Sequence, residues 1–227
     1  MSESGKTEGA CAFCGKRATR GGMSRHLRSC AARKAAIAAA DAESGEPERI
    51  IHLQVQNAHM DDFWLHLEMR GSATLKKLDD YLRAIWLECC GHLSQFSRGG
   101  WGGDKIAMTR RAQEVLGPDT VLTHIYDFGT ETVSLVKVVE TRTGRALGKH
   151  PIMLMARNEM PAAACAECDE PGAFLCRECL YEGDAHPVLC AAHAKSHPHD
   201  EYGDPMPLVN SPRSGECGYT GPAQPPY

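Results

Sequence analysis

The C-terminal quarter of the chain carries cysteine and histidine residues at spacings that suit zinc. The stretch CAECDEPGAFLCREC holds two Cys-x2-Cys pairs, and VLCAAHAKSHPHD follows it. Zinc in structural sites takes four nitrogen or sulfur ligands in tetrahedral geometry, so eight candidate ligands imply two ions. The candidates in chain order are Cys165, Cys168, Cys176, Cys179, Cys190, His193, His197 and either His199 or Cys217.

The order of these pairs is similar to that of B-box and other cross-braced modules. In such modules the first and third pairs share one metal ion, and the second and fourth pairs share the other. The resemblance places Cys165 and Cys168 with Cys190 and His193. The second site then takes the remaining candidates, Cys176, Cys179, His197 and an eighth ligand. A sequential arrangement, with all four N-terminal cysteines of the module on one ion, is the alternative.

The abundance of thiolates favours structural zinc over catalytic zinc. Thiolates donate charge and weaken the Lewis acidity of the ion, and a catalytic ion keeps one position open for water. A domain of about sixty residues is too small to stabilise itself with a hydrophobic core alone. The C-terminal ions are therefore expected to hold this module together.

A third zinc site is predicted near the N-terminus. Cys11 and Cys14 form another Cys-x2-Cys pair, and His26 and Cys30 follow at i and i+4 on one predicted helix face. A segment of about thirty residues cannot build a core, so metal binding would supply its folding energy.

Residues 11–34 also carry seven basic residues and no acidic one. Arg17, Arg20, Arg25 and Arg28 are candidate phosphate contacts, which would give salt-sensitive binding to nucleic acid. Two of the three positions that read bases in a classical finger are occupied here by Gly22 and Thr19, which are poor readers. Non-specific nucleic-acid binding and docking of a protein partner are both open for this module.

Two groups in the middle of the chain have simpler interpretations. Cys89 and Cys90, with His92 close by, end a predicted helix, and free cysteine packs as a small hydrophobic residue. They are expected to be buried core residues rather than a metal or redox site.

The second group is built around YDFG. Convergence of His124 and Asp127 with His52 and His66 on one sheet face is one interpretation, but half-exposed strand residues are the expectation, since no nucleophile with a base is apparent. In VNSPR, Arg213 is expected to pack or to pair with the acidic zinc module.

Composition places these motifs in a soluble protein of 227 residues with 42% apolar residues and a net charge of −4. No apolar secretory segment or membrane span is present in the sequence. A cytoplasmic location with reduced thiols is expected, which favours metal over disulfides. Charge is uneven, since residues 165–227 hold three basic and ten acidic residues.

The hydrophobic pattern predicts an α+β fold with a mainly antiparallel sheet and packed helices, flanked by zinc-stabilised modules at both termini. Apolar residues alternate in IIHLQVQ, FWLHLEM, TVLTHIY and TVSLVKVVE, which are predicted strands. Leu75, Leu78, Leu82 and Ile85 recur at helical spacing. The predicted parts are a finger at 1–40, a linker at 41–48, a central domain at 49–160 and a two-zinc module at 161–227.

The motifs LECCGHLS, YDFG, and VNSPR with CGY resemble the Ri-plasmid ORF-three-like domain family, whose members often lie near mobile elements. The resemblance covers about residues 50–221. Members commonly carry Trp and His shortly after YDFG, where this chain has Thr132 and Ser134. The resemblance implies a fold and no established reaction.

Two functions follow as hypotheses. The first is an adaptor with three structural zinc ions, a protein partner, and nucleic-acid contacts through the N-terminal finger. The alternative is a metal-dependent hydrolase or nuclease associated with mobile DNA.

Overall fold

The computed structural model describes residues 7–183, 186–198 and 201–227. Its main feature is an antiparallel sheet of nine strands, which confirms the predicted α+β class. The strands are β1 (Glu8–Cys11), β2 (Arg17–Thr19), β3 (Glu48–Asn57), β4 (Trp64–Arg70), β5 (Ser94–Arg98), β6 (Asp104–Ile106), β7 (Val121–Tyr126), β8 (Thr132–Gly144) and β9 (Ile152–Asn158). Their order across the sheet is β2-β1-β9-β4-β3-β8-β7-β5-β6.

The described helices are α1 (Arg20–Ser29), α2 (Ala31–Ala42), α3 (Leu75–Leu82), α4 (Ala112–Val115) and α5 (Arg177–Glu182). A π-helical turn at Arg83–Leu87 continues α3, and this is where the longer predicted helix ends. Within the described residues no helix has the length and apolarity needed to cross a membrane.

The main core lies between α3 and one face of the sheet. Leu75, Leu78 and Leu82 are fully buried against the sheet, as their helical spacing predicted. From β4, Leu65 and Leu67 enter the same core because side chains two apart on a strand share a face.

The opposite face of β4 is covered by the N-terminal helices. Trp64 packs there with Met23 and Leu27 of α1 and with Met155 of β9. Because β1 pairs with β9, from Gly9 opposite Asn158 to Cys11 opposite Ala156, the N-terminal segment extends the central sheet. The predicted linker separates α2 from β3 in sequence but does not separate two sheets.

Residues after β9 form a second, smaller sheet of β10 (Phe174–Leu175), β11 (Val188–Leu189) and β12 (Met206–Pro207). The chain then returns to the central domain. Asn210 hydrogen-bonds Asn158, and the Ser211 hydroxyl donates to the Trp86 carbonyl. The last twenty residues therefore contact the large sheet as well as the small one, and the predicted module boundary at 161 does not mark where contact with the large sheet ends.

Candidate metal centres

The four predicted N-terminal ligands lie together. β1 ends at Cys11, a tight turn places Cys14, and α1 supplies His26 just before Cys30. Cys14 Sγ is 3.3 Å from His26 Nε2 and 3.7 Å from Cys30 Sγ. A tetrahedral zinc site with ordinary bond lengths has sulfur–nitrogen edges of about 3.6 Å and sulfur–sulfur edges of about 3.8 Å. This cluster has the dimensions of such a site.

The turn that builds this cluster is closed by the backbone. The Cys11 N–H donates to the Lys16 carbonyl, and the Gly15 N–H donates to the Cys11 carbonyl. Gly15 has φ of +72°, the left-handed region that glycine adopts at little cost. Burial raises the pKa of the Cys11 thiol to about 11, so a nearby cation is needed to stabilise its thiolate.

The first C-terminal cluster joins the first and third ligand pairs. Cys165, Cys168 and Cys190 each place Sγ within 3.4–3.5 Å of Nδ1 of His193. Cys168 Sγ and Cys190 Sγ are 3.9 Å apart. Four ligand atoms from residues 165–193 thus surround one point, as the cross-braced order predicts.

These sulfurs also accept backbone hydrogen bonds. Desolvation acts to raise the pKa of Cys165, but hydrogen bonds from the backbone at Glu167 and Cys190 outweigh it, and His193 adds to their effect. The pKa of Cys165 falls to about 6 as a result. A thiolate therefore forms near neutral pH, which is the state that a metal ion binds.

The second C-terminal cluster contains Cys176, Cys179 and His197. Cys179 Sγ is 3.3 Å from His197 Nε2. The Cys179 N–H donates to Cys176 Sγ, which caps α5, so the helix start fixes both sulfurs. The second and fourth pairs are thus together, and the two clusters interleave along the chain.

The eighth ligand had two candidates. His199 lies outside the described residues. Cys217 lies elsewhere, 3.9 Å from His92 Nε2 on the central domain. The expectation that Cys217 belongs to the C-terminal module is therefore wrong, because the tail that carries it folds back onto the large sheet.

Glu167 connects the two C-terminal clusters. Its carboxylate lies 3.9 Å from Nε2 of His193 and 3.5 Å from Nδ1 of His197. In each histidine this is the nitrogen that does not face the sulfurs. At these distances Glu167 acts on both rings through its charge, and a small approach of the carboxylate would form the hydrogen bonds that orient a metal-bound imidazole and raise its basicity. No pattern in the sequence singles out Glu167, although it lies between the first two cysteines of the module.

The expectation that both central cysteines are buried core residues is wrong for Cys90, whereas Cys89 packs against the main core. Cys90 is exposed and Cys89 is half-buried. The helix ends two residues before Cys89, and Gly91 with φ of +72° turns the chain outward. Cys89, Cys90 and His92 are close enough to share a metal ion, and so are His92, Asp127 and Cys217.

Arg213 lies beneath this central cluster and is fully buried. It pairs with Asp127 at 3.0 Å and not with the acidic zinc module, which corrects one of its two expected roles. Its guanidinium also donates to the Thr130 carbonyl and the Thr132 hydroxyl, both at 3.0 Å. The Thr132 hydroxyl thus helps to hold Arg213.

The strand histidines are buried rather than half-exposed. His52 and His66 contact each other at 2.9 Å beneath α1, and His66 Nε2 lies 3.2 Å from the Arg20 carbonyl. Burial holds the pKa of His52 well below its usual range and lowers that of His66 to about 4. His124 bonds Asp79 instead, so the four YDFG-region candidates do not converge.

Three of the four candidate phosphate contacts have partners within the protein. Arg17 pairs with Glu8 and Glu159, and Arg20 pairs with Asp61. Arg28 donates to the Val139 carbonyl at 3.0 Å. Arg25 is exposed. Neighbouring acids therefore compensate part of the basic charge of this module.

Comparisons with known proteins give little to set beside this geometry. No family model matches the chain, and no curated protein matches its sequence. A crystal structure of a protein of unknown function from Methanosarcina mazei Go1 is similar to this chain. The similar region covers 46% of this chain and 66% of that protein, which is just under two thirds of that protein's length. Identity is 14% and the TM-score is 0.40.

Proposed function

We propose that the chain is a zinc-binding adaptor in which three structural zinc ions fix the two terminal segments on the central sheet. The N-terminal ion takes Cys11, Cys14, His26 and Cys30. The C-terminal ions take the interleaved clusters, with His199 as the eighth ligand. The position of Glu167 carries the proposal, because one carboxylate faces the outer nitrogens of both His193 and His197.

Sulfur-rich ligand sets support a structural role for these ions. The two complete clusters have three cysteines and one histidine each, which fills all four positions of tetrahedral zinc. Neither has a place for a reacting water. The ions thereby act as cross-links in parts of the chain that have few apolar residues of their own.

The partner of such an adaptor is proposed to be a protein. The C-terminal part of the chain is acidic, with ten acidic and three basic residues, which suits a basic protein surface. Nucleic acid is a second candidate through Arg25 and the other N-terminal arginines. Internal pairing of Arg17, Arg20 and Arg28 favours the protein partner.

The test is metal content together with a change at Glu167. Chain purified in zinc-containing buffer should retain at least three zinc ions after exhaustive desalting, as measured by native mass spectrometry. Glu167→Gln should weaken zinc retention at both C-terminal sites by about 10- to 100-fold against a chelator and leave the N-terminal site unchanged.

Glu170→Gln is the matched control, because Glu170 is an exposed acid of the same loop and its carboxylate faces neither histidine. Equal zinc retention in the two variants would remove the main support for the proposal. A chain that retains one zinc ion or none would overturn it.

A further inference from the structure

A group of possible ligands outside the three proposed sites lies where three distant segments meet. The loop after the π-helical turn brings His92, the end of β7 brings Asp127, and the C-terminal tail brings Cys217. Such convergence of a nitrogen, an oxygen and a sulfur from separate segments is not explained by core packing, since His92 and Cys217 face solvent.

The three ligand atoms surround a common point. His92 Nε2 is 3.5 Å from Asp127 Oδ2 and 3.9 Å from Cys217 Sγ, and that sulfur is 3.9 Å from the same oxygen. The corresponding edges of a tetrahedral zinc site are about 3.3 Å for nitrogen–oxygen and about 3.6 Å for the two edges to sulfur. A contraction of a few tenths of an ångström would form the site.

These contacts do not fit a nucleophilic triad. In a triad the histidine uses one ring nitrogen toward the nucleophile and the other toward the carboxylate. Here both Cys217 and Asp127 approach the same nitrogen, Nε2 of His92. Coordination of one cation accounts for this arrangement, whereas proton relay does not.

We propose that His92, Asp127 and Cys217 bind a fourth metal ion, zinc by its donor set, with one coordination position open to water or an anionic ligand.

Backbone hydrogen bonds orient the Asp127 carboxylate toward the cluster. Asp127 Oδ1 accepts hydrogen bonds from the Gly129 and Thr130 N–H groups, so Oδ2 is the oxygen left to face the cluster. Asp127 and Cys217 have φ of +65° and +49°, in the left-handed region that costs non-glycine residues energy. Strain of this kind persists where surrounding contacts enforce it and is concentrated at binding sites.

Arg213 acts as a positioning residue for the same site. One guanidinium nitrogen, Nη2, donates to Asp127 Oδ2 at 3.0 Å and lies 3.4 Å from Cys217 Sγ and 3.5 Å from Cys89 Sγ. The guanidinium thus neutralises part of the negative charge that an empty site would hold, and it orients the oxygen and the sulfur from the buried side.

The open position distinguishes this site from the other three. Only one thiolate and one carboxylate coordinate the ion, so its Lewis acidity is less reduced than in the sites with three cysteines. The half-exposed His92 and exposed Cys217 lie on the outer side, where a water or a small anion can enter. Cys90, also exposed, is outside the proposed ligand set.

The test is a zinc titration of the full chain under reducing conditions, followed with a competing metal indicator. The wild-type chain should bind four equivalents. His92→Ala and Cys217→Ala should each bind three, and Cys90→Ser, the matched change at a neighbouring exposed thiol, should still bind four. Retention of three ions in the first two variants shows that their fold and the three structural sites are intact.

Cobalt substitution gives a second measurement. The fourth equivalent of cobalt should add a weak sulfur-to-cobalt band from one thiolate, and Cys217→Ala should remove that band. A wild-type titration that saturates at three equivalents would overturn the fourth site while leaving the three structural sites in place. Loss of an ion in Cys90→Ser but not in Cys217→Ala would overturn the ligand set.

Discussion

Replacement of Arg213 by methionine tests whether the C-terminal tail is fixed by a buried ion pair. Arg213 is fully buried, and its side chain bonds Asp127, Thr130 and Thr132 at 3.0 Å each. Methionine fills much of the volume but leaves the Asp127 carboxylate without its counter-charge. Removing one partner of a buried pair costs about 3–5 kcal/mol.

This cost should be visible as a loss of thermal stability. For a chain of this size each kcal/mol lowers the melting temperature by about 2–4 °C, so Arg213→Met should lower it by roughly 6–20 °C. Three equivalents of zinc should be present in this measurement, enough to fill the structural sites, because an ion bound at Asp127 would itself compensate the carboxylate. Arg111→Met, a change at an exposed arginine, is the control and should shift the transition by less than about 2 °C.

A double variant isolates the pair itself. Asp127→Asn combined with Arg213→Met removes both charges. The double variant should therefore lose less stability than the sum of the losses in the two single variants. Limited proteolysis should show residues 208–227 cleaved first in Arg213→Met, because that tail depends on the pair. A stability of Arg213→Met within about 1 kcal/mol of the wild type would refute the reasoning.

Further predictions concern pH, ligand pairing and nucleic acid. Burial lowers the pKa of His66 to about 4, so only the unfolded chain is protonated there between pH 6.5 and 4, and stability falls as pH falls through that window. His66→Gln should remove up to about 3 kcal/mol of the difference in unfolding free energy between pH 6.5 and pH 4, as measured in urea titrations. An unchanged difference would contradict this assignment. In a cross-braced module Cys165→Ser with Cys190→Ser should lose one zinc ion, and Cys165→Ser with Cys176→Ser should lose two; the sequential pairing predicts the reverse. Any gel shift of nucleic acid by residues 11–34 should vanish steeply with salt and vary little with sequence, and a salt-independent shift would exclude phosphate contacts.

Local periodicity predicted the elements that depend on near neighbours in the chain. Strands β3 and β4 and the helix from Leu75 are present where the alternation and the helical spacing predicted them, although β4 is buried on both faces. β9 was not predicted, although its apolar run IMLMA could have indicated a strand. The π-helical turn and the early helix end depend on packing that no propensity describes.

The ligand clusters show the same limit. Spacing of two to four residues predicted which cysteines and histidines form the terminal clusters, because a short turn or helix fixes their geometry. Cys217 and His92 are 125 residues apart, and only folding of the tail brings them together. The polar residues His52 and His66 suggested an exposed face, but α1 covers it, and no local pattern encodes that cover.

The short strands at the margins of the large sheet have a consequence for the protein without metal. β2 and β6, three residues each, are its outermost strands, and such short edges offer little backbone to another chain. β9 is longer, and β1 covers the edge of β9 that faces away from β4. Gly9 of β1 lies so close to the Arg157 carbonyl that no Cβ would fit. If zinc loss released β1, the bare backbone of β9 would become a template for intermolecular pairing. Zinc starvation would then drive the chain toward polymerisation, and the N-terminal ion would prevent this by keeping β1 paired with β9.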